Sequence, residues 1–182
     1  MEKILVVTMA LWVASTIGCK KDSNPVSSSF QKENLIVNGD FADSLKNWLL
    51  IGQGTNPYHP NDPGRASFSV TNGVLKIDIA NQGQDEYSIM LYQSVALQKD
   101  SAYTVSFDAK SDSAMQIISN VTQDVTWNNI TGDRSFSLTT AMSNYSYQFT
   151  QGNDTTAMLF QFCFGNMGAR KIYLDNISIT TN

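Results

Sequence analysis

Few side chains in this sequence of 182 residues are of the kinds that usually do chemistry. It has one histidine, His59, and two cysteines, Cys19 and Cys163. A serine or cysteine triad needs an imidazole base, so such a machine would have to use His59 or nothing. Two cysteines cannot form a four-thiolate zinc site, even with His59 added, and they are too few for a disulfide framework. Asp85 and Glu86 are adjacent acids, but neighbours on a strand point to opposite faces. They read as solvated, not as the paired carboxylates of a retaining glycosidase. A net charge of −4 argues against a nucleic-acid partner, which wants a basic patch. Amides and aromatics are better represented, and both suit a neutral ligand. An amide donates and accepts, matching sugar hydroxyls. An aromatic ring covers the apolar face of a sugar ring for roughly 1–2 kcal/mol.

The elements that must position these groups are strands. Leu75, Ile77 and Ile79 alternate with Lys76 and Asp78; Tyr103, Val105, Phe107 and Ala109 alternate with Thr104, Ser106, Asp108 and Lys110. Tyr145, Tyr147 and Phe149, then Met158, Phe160, Phe162 and Phe164, then Ile172 and Leu174 repeat the pattern. Turn signals such as Asn72-Gly73 and Thr131-Gly132-Asp133 separate the runs. No stretch sustains a 3.6-residue period. Many short strands with regular turns predict an all-β fold, a two-sheet antiparallel sandwich or jelly roll.

Some outward faces of these strands are unusual for a solvated surface. The run 87–95 shows Ser88, Met90, Tyr92 and Ser94 opposite Ile89, Leu91 and Val95. The run 115–121 shows Gln116, Ile118 and Asn120, and the run 158–164 shows Leu159, Gln161 and Cys163. Two readings stay open: these faces are covered by loops or the N-terminal tether, or they floor a groove for a hydroxyl-rich ligand.

The N-terminus reads as an address. Lys3 precedes a mainly apolar run from Ile4 to Ile17. That run is too short for a spanning helix, which needs about 20 residues, and suits a signal peptide. Gly18-Cys19 resembles the lipobox of bacterial lipoproteins, although Thr16 stands where leucine is usual. The resemblance implies a signal peptide at 1–18 and a lipidated Cys19. It places the protein on the outer membrane or cell surface, held to the membrane through that lipid. The polar tract Lys20–Ser29 reads as a flexible tether, giving 19–33 as linker and 34–182 as the folded domain. Cys163 is then left without a partner and reads as a quiet buried thiol.

Asn34-Leu35-Ile36-Val37-Asn38-Gly39-Asp40-Phe41, followed by Trp48, resembles the opening strand of carbohydrate-binding modules of families 4, 9 and 22. Leu91–Val95, Ala102–Lys110, Tyr145–Thr150 and Ile172–Ile179 are similar to further stretches of that family in the same order. The resemblance implies a galactose-binding-like jelly roll that binds polysaccharide or oligosaccharide without catalysis, as an accessory to glycan degradation. It implies no required cofactor. It also implies a structural calcium near Asp40 and Asp175, with Ala42 standing where the family has a glutamate.

The expected ligand contacts are Trp127, Tyr92 and Tyr58 for stacking, and Gln116, Asn120, Gln161 and Arg134 for hydrogen bonding. Trp127 is the first choice because it sits in the polar stretch Gln123–Asn129, where a buried ring is less expected. Tyr58 lies in the segment 52–66, which holds three of the four prolines, and His59 beside it reads as a surface residue without a role. Trp48 reads as packing. Arg134 is a ligand donor or a rim charge. The five Asn-x-Ser/Thr sites at Asn120, Asn129, Asn144, Asn153 and Asn176 read as composition and not as glycosylation. The protein is expected to be a monomer. The rival reading is a structural or adhesive module of the same fold with its groove filled.

Overall fold

A computed structural model describes residues 32–53, 56, 59–154 and 156–182. Cys19, the signal segment 1–18, most of the tether and Tyr58 lie outside the described residues. The strands are β1 (Leu49–Ile51), β2 (Arg65–Thr71), β3 (Val74–Asn81), β4 (Met90–Ala96) and β5 (Ala102–Ser111). They continue with β6 (Met115–Gln123), β7 (Arg134–Leu138), β8 (Ser143–Thr150), β9 (Ala157–Cys163) and β10 (Lys171–Thr181). They form two five-stranded antiparallel sheets, ordered β1-β4-β9-β6-β7 and β2-β3-β10-β5-β8. The all-β, two-sheet sandwich expected from the alternation is the fold observed.

Alternation decides which residues make the core. In β5, Tyr103, Val105, Phe107 and Ala109 are buried while their neighbours are partly exposed. They meet Phe160 and Phe162 of β9 and Val121 of β6 between the sheets. Phe107 stands edge-on to Phe162 at 4.9 Å and to Phe136 at 5.1 Å, in the T-shaped geometry that ring quadrupoles favour. Three strands are not apparent from the alternation. β1 has only three residues, and β2 and β7 are edge strands with few apolar positions.

The run 87–95 is not one strand. Glu86–Ser88 form a single 3-10 turn capped by the Asp85 side chain, and β4 begins at Met90. Ser88 is wholly buried. Its Oγ donates to Asp62 Oδ2 at 2.6 Å and accepts the Gln84 and Asp85 amides at 3.1 Å each. That local bonding satisfies the backbone without a strand partner. Asp85 therefore caps a turn and is not merely solvated, as the sequence suggested.

The opening motif locks the chain terminus onto β10. The Asn34 side chain accepts from Ile36 N and Ile179 N and donates to Ile177 O. A Cβ on Gly39 would lie 2.0 Å from Ile177 O, so only glycine permits the Ile177 N to Gly39 O bond of 2.9 Å. Asn38, at φ 55°, donates its amide to Ser44 O and Lys46 O and accepts from Asp43 N. Trp48 is buried against Phe41 at 5.7 Å and donates Nε1 to Asn38 O at 3.0 Å. It packs, as expected. Trp48→Phe keeps the ring but strips that carbonyl of its indole partner. The expected loss is about 1–2 kcal/mol, read from urea denaturation; an unchanged midpoint would refute this role.

Candidate functional site: a cleft on the outer face of one sheet

Strand register brings the unusual faces together. On the outer side of the β1-β4-β9-β6-β7 sheet, one rung runs Leu49–Tyr92–Gln161–Asn120. The next runs Ile51–Met90–Cys163–Ile118–Ser135, and the rung on the other side runs Ser94–Leu159–Thr122. A cleft of about 360 Å³ opens over this surface. Met90, Thr122 and Gln161 line it from the sheet, with Trp127, Tyr87, Asn56 and His59 around them.

Loops build the walls. After β6 the chain folds back through Trp127 N to Gln123 O and Gln123 N to Asn128 O, both 3.0 Å, and a bridge pairs Thr122 with Asn129. Trp127 takes φ 56° at that turn, which is uncommon for a bulky residue. Its ring meets Tyr92 edge-on, with centroids 6.4 Å apart, and stays 36% exposed. On the other wall, Asn56 donates to Tyr87 O and accepts from His59 N, and Asp62 N donates to His59 O. Burial pushes the Asp62 carboxyl up, but hydrogen bonds from Ser88, Gly64 and Gln84 outweigh it and hold the group below its usual range.

The floor contains polar atoms with nothing to bond. Gln161 is wholly buried, and neither its Oε1 nor its Nε2 has a partner. Asn120 Oδ1 and Thr122 Oγ1 are in the same state. Gln93, on the inner side of β4, shows what a satisfied buried amide looks like. Its Oε1 accepts Val37 N at 2.8 Å, and its Nε2 donates to Val37 O at 2.9 Å. An unpaired buried polar group costs about 1–3 kcal/mol, and no protein group bonds to these atoms. Beneath one end, Cys163 packs with Ile51, Met90 and Ile118. Burial pushes its thiol far up, with Glu86, Asp133 and Asp85 adding to the effect; it stays protonated and inert. Burial likewise pushes up the Tyr87 hydroxyl, helped by Asp133 and Glu86.

Of the contacts expected from sequence, Trp127, Tyr92, Gln161 and Asn120 come together here. Gln116 is on the same face but lies beyond Ile118, away from Trp127 and outside the cleft lining. Arg134 does not face the cleft. Its register partner is Ser119, whose Oγ bonds Tyr147 Oη on the inner side, and its guanidinium lies over the Tyr147 ring at 5.9 Å. Proximity to the Gly132-Asp133 turn could not reveal that inward register. His59 is exposed, as expected, and lines the cleft. Thr122 was reachable by carrying the β6 alternation one step further. Asn56 and Tyr87 arrive from loops and carry no periodic signal.

Near Asp40 and Asp175, the oxygens of the kind calcium takes make hydrogen bonds within the protein. Asp40 Oδ1 accepts from Ala42 N, and Asp108 is engaged by Asn144 and Asn176. Gly39 O and Asn38 O already accept from Ile177 N and Trp48 Nε1. Among the described residues no three His, Cys, Asp or Glu side chains gather as a metal site.

The sequence matches the profile of the carbohydrate binding domain of families 4 and 9 over residues 33–169. A family 4 carbohydrate-binding module superposes with TM-score 0.69 at 24% identity, covering 82% of this chain and 95% of its own. The second N-terminal cellulose-binding domain of Cellulomonas fimi β-1,4-glucanase C gives TM-score 0.63 at 21% identity, covering 84% and 96%. A family 61 module solved with β-1,4-galactotriose gives TM-score 0.55 at 12% identity, covering 83% and 100%. No curated protein sequence matches the chain.

Burial raises the Asp175 carboxyl, and Asp108 and Asp40 raise it further, against one backbone hydrogen bond from Asn176. A raised carboxyl holds its proton more tightly in the fold than in the unfolded chain. Asp175 therefore supports the fold in acid, and that support is lost as pH rises through its folded pKa. In chelator-containing buffer, Asp175→Asn is expected to melt higher than wild type near pH ~7, with the gap closing near pH ~3. A lower melting point at neutral pH would contradict this.

Proposed function

The chain belongs to the carbohydrate binding domain family that it matches over residues 33–169, and on that premise we propose that it captures a neutral polysaccharide or oligosaccharide in the cleft described above. The observation that carries this reading is Gln161, wholly buried on the cleft floor with both amide atoms unpaired. A sugar hydroxyl donates and accepts at one oxygen, so one or two hydroxyls satisfy both ends of that amide. Trp127 and Tyr92 flank it, offering apolar ring surface to a pyranose face. Asn120 and Thr122 extend the polar row along β6. The neighbouring structures include a cellulose-binding domain and a galactotriose complex, which favours β-1,4-linked chains as the first ligands to try. Affinity in the micromolar to millimolar range, about −8 to −4 kcal/mol, suits an open cleft with two rings.

The partial exposure of Trp127 and Tyr92 favours capture over the rival adhesive module, whose groove would be filled. The domain's task is recognition without chemistry, in support of enzymes that cleave the same glycan. Cys19 is the membrane attachment in this reading, acylated at the end of the signal segment, with residues 19–33 as the tether. Several acyl chains on one cysteine would hold the protein stably, where one is marginal.

Two experiments test these proposals. On a panel of soluble β-1,4-linked glycans, wild type is retained in affinity electrophoresis, and Trp127→Ala and Gln161→Leu each weaken retention on the order of tenfold. Gln161→Leu leaves the unfolding free energy level or higher by about 1 kcal/mol, because it deletes an unpaired amide. Retention unchanged in both variants, or a large loss of stability in Gln161→Leu, would sink the site. For the anchor, a bacterium grown with an alkyne-tagged fatty acid should label the wild-type chain and not Cys19→Ala; equal labelling rules out Cys19.

A further inference from the structure

Beside the cleft, one carboxylate organises two amides. Asp133 Oδ1 accepts from Asn120 Nδ2 and from Asn129 Nδ2, both at 2.7 Å. An ionised carboxylate only accepts hydrogen bonds, so both carboxamides must turn their nitrogens toward it. Their carbonyl oxygens then have no choice of direction. Both oxygens, Asn120 Oδ1 and Asn129 Oδ1, are buried without a partner, as is Thr122 Oγ1. Thr122 lies on the cleft lining, Asn120 is on the rung of Gln161, and Asn129 bridges to Thr122.

Asp133 does not sit on a strand of the floor. It follows Gly132, at φ 66°, in the turn into β7, and that turn is held by Val121 N donating to Thr131 Oγ1 at 3.0 Å. Its charge is close enough to contribute to the raised Tyr87 hydroxyl and Cys163 thiol across the floor. Without Asp133, either amide could rotate by half a turn and offer a donor in place of an acceptor. With it, Asn120 and Asn129 beside the lining residue Thr122 keep only acceptor atoms unpaired, whereas the Thr122 hydroxyl and Gln161 still offer both kinds of atom.

We infer that Asp133 is a positioning residue that locks Asn120 and Asn129 with their carbonyl oxygens unpaired, so that this side of the cleft takes sugar units with free, donating hydroxyls and rejects units O-methylated or O-acetylated there. The inference rests on the glycan reading of the cleft. An etherified or esterified oxygen has no proton to give, so it would leave these buried acceptors unpaired, the kind of mismatch that discriminates strongly. An unsubstituted chain satisfies them.

The test has two arms on the full chain. In the first, Asp133→Asn and Asp133→Ala are compared with wild type by NMR of the side-chain amide groups. The Asn120 and Asn129 signals should both move in each variant, while thermal melting shows a folded protein. In the second, cellohexaose, β-1,4-galactotriose and per-O-methylated cellohexaose are titrated calorimetrically. Wild type should prefer the free oligosaccharide. Asp133→Ala should bind it on the order of tenfold more weakly, and Asp133→Asn should narrow the preference by a similar factor. Unmoved amide signals overturn the locking. Amide signals that move with an unchanged preference overturn the selectivity. A wild type that ignores all three glycans while the signals still move overturns the glycan reading and the selectivity with it, leaving the locking of the amides intact.

Discussion

Strand β9 and most of β6 are buried on both faces, and much of the rest follows from that. β9 is the extreme case: every residue from Met158 to Cys163 is buried. Its inner side chains, Met158, Phe160 and Phe162, fill the sandwich. Of its outer ones, Leu159, Gln161 and Cys163, Cys163 has Tyr87 and Tyr92 packed against its cluster, and Gln161 shares the cleft with Trp127 and Tyr87. A strand buried twice can carry a polar side chain only if that side chain finds a partner. The protein meets this condition in most places and leaves it open at atoms of Gln161, Asn120 and Thr122, among others.

The two glutamines Gln93 and Gln161 show the difference. They occupy adjacent strands and are buried to about the same degree. Gln93 faces inward and grips both backbone groups of Val37, so it extends the sheet toward the chain's opening segment. Gln161 faces outward, into the cleft, with both ends unpaired. The first amide stabilises the fold. The second carries the cost of an unpaired buried amide, about 1–3 kcal/mol.

Charge plays a supporting part at that site. Asp62 and Asp85 organise the wall that carries Tyr87 and Ser88, and Asp133 organises the amides of the opposite side. Each accepts hydrogen bonds from its surroundings. Burial, with Glu86 and Asp133 adding to it, pushes the Tyr87 hydroxyl and the Cys163 thiol toward their neutral forms.

Local chemistry was enough for much of this protein. Period-two alternation in β3, β5, β8, β9 and β10 is a property of consecutive side chains, so the all-β sandwich and its aromatic core were legible in the sequence. The Asn-Gly-Asp-Phe…Trp segment was legible through its resemblance to the family's opening strand. The amide-bearing outer faces could also be read strand by strand. Which rungs they share depends on register between distant strands, and that is a tertiary matter. Register placed Tyr92, Gln161 and Asn120 in one line and turned Arg134 inward to Tyr147. Loops brought Asn56, His59 and Tyr87 to the cleft, where no periodic pattern could announce them. Whether a buried amide is satisfied depends on atoms far away in sequence. The chain alone therefore determined that Gln161 would lie opposite the core phenylalanines, and only the fold decided that it would be left without a partner.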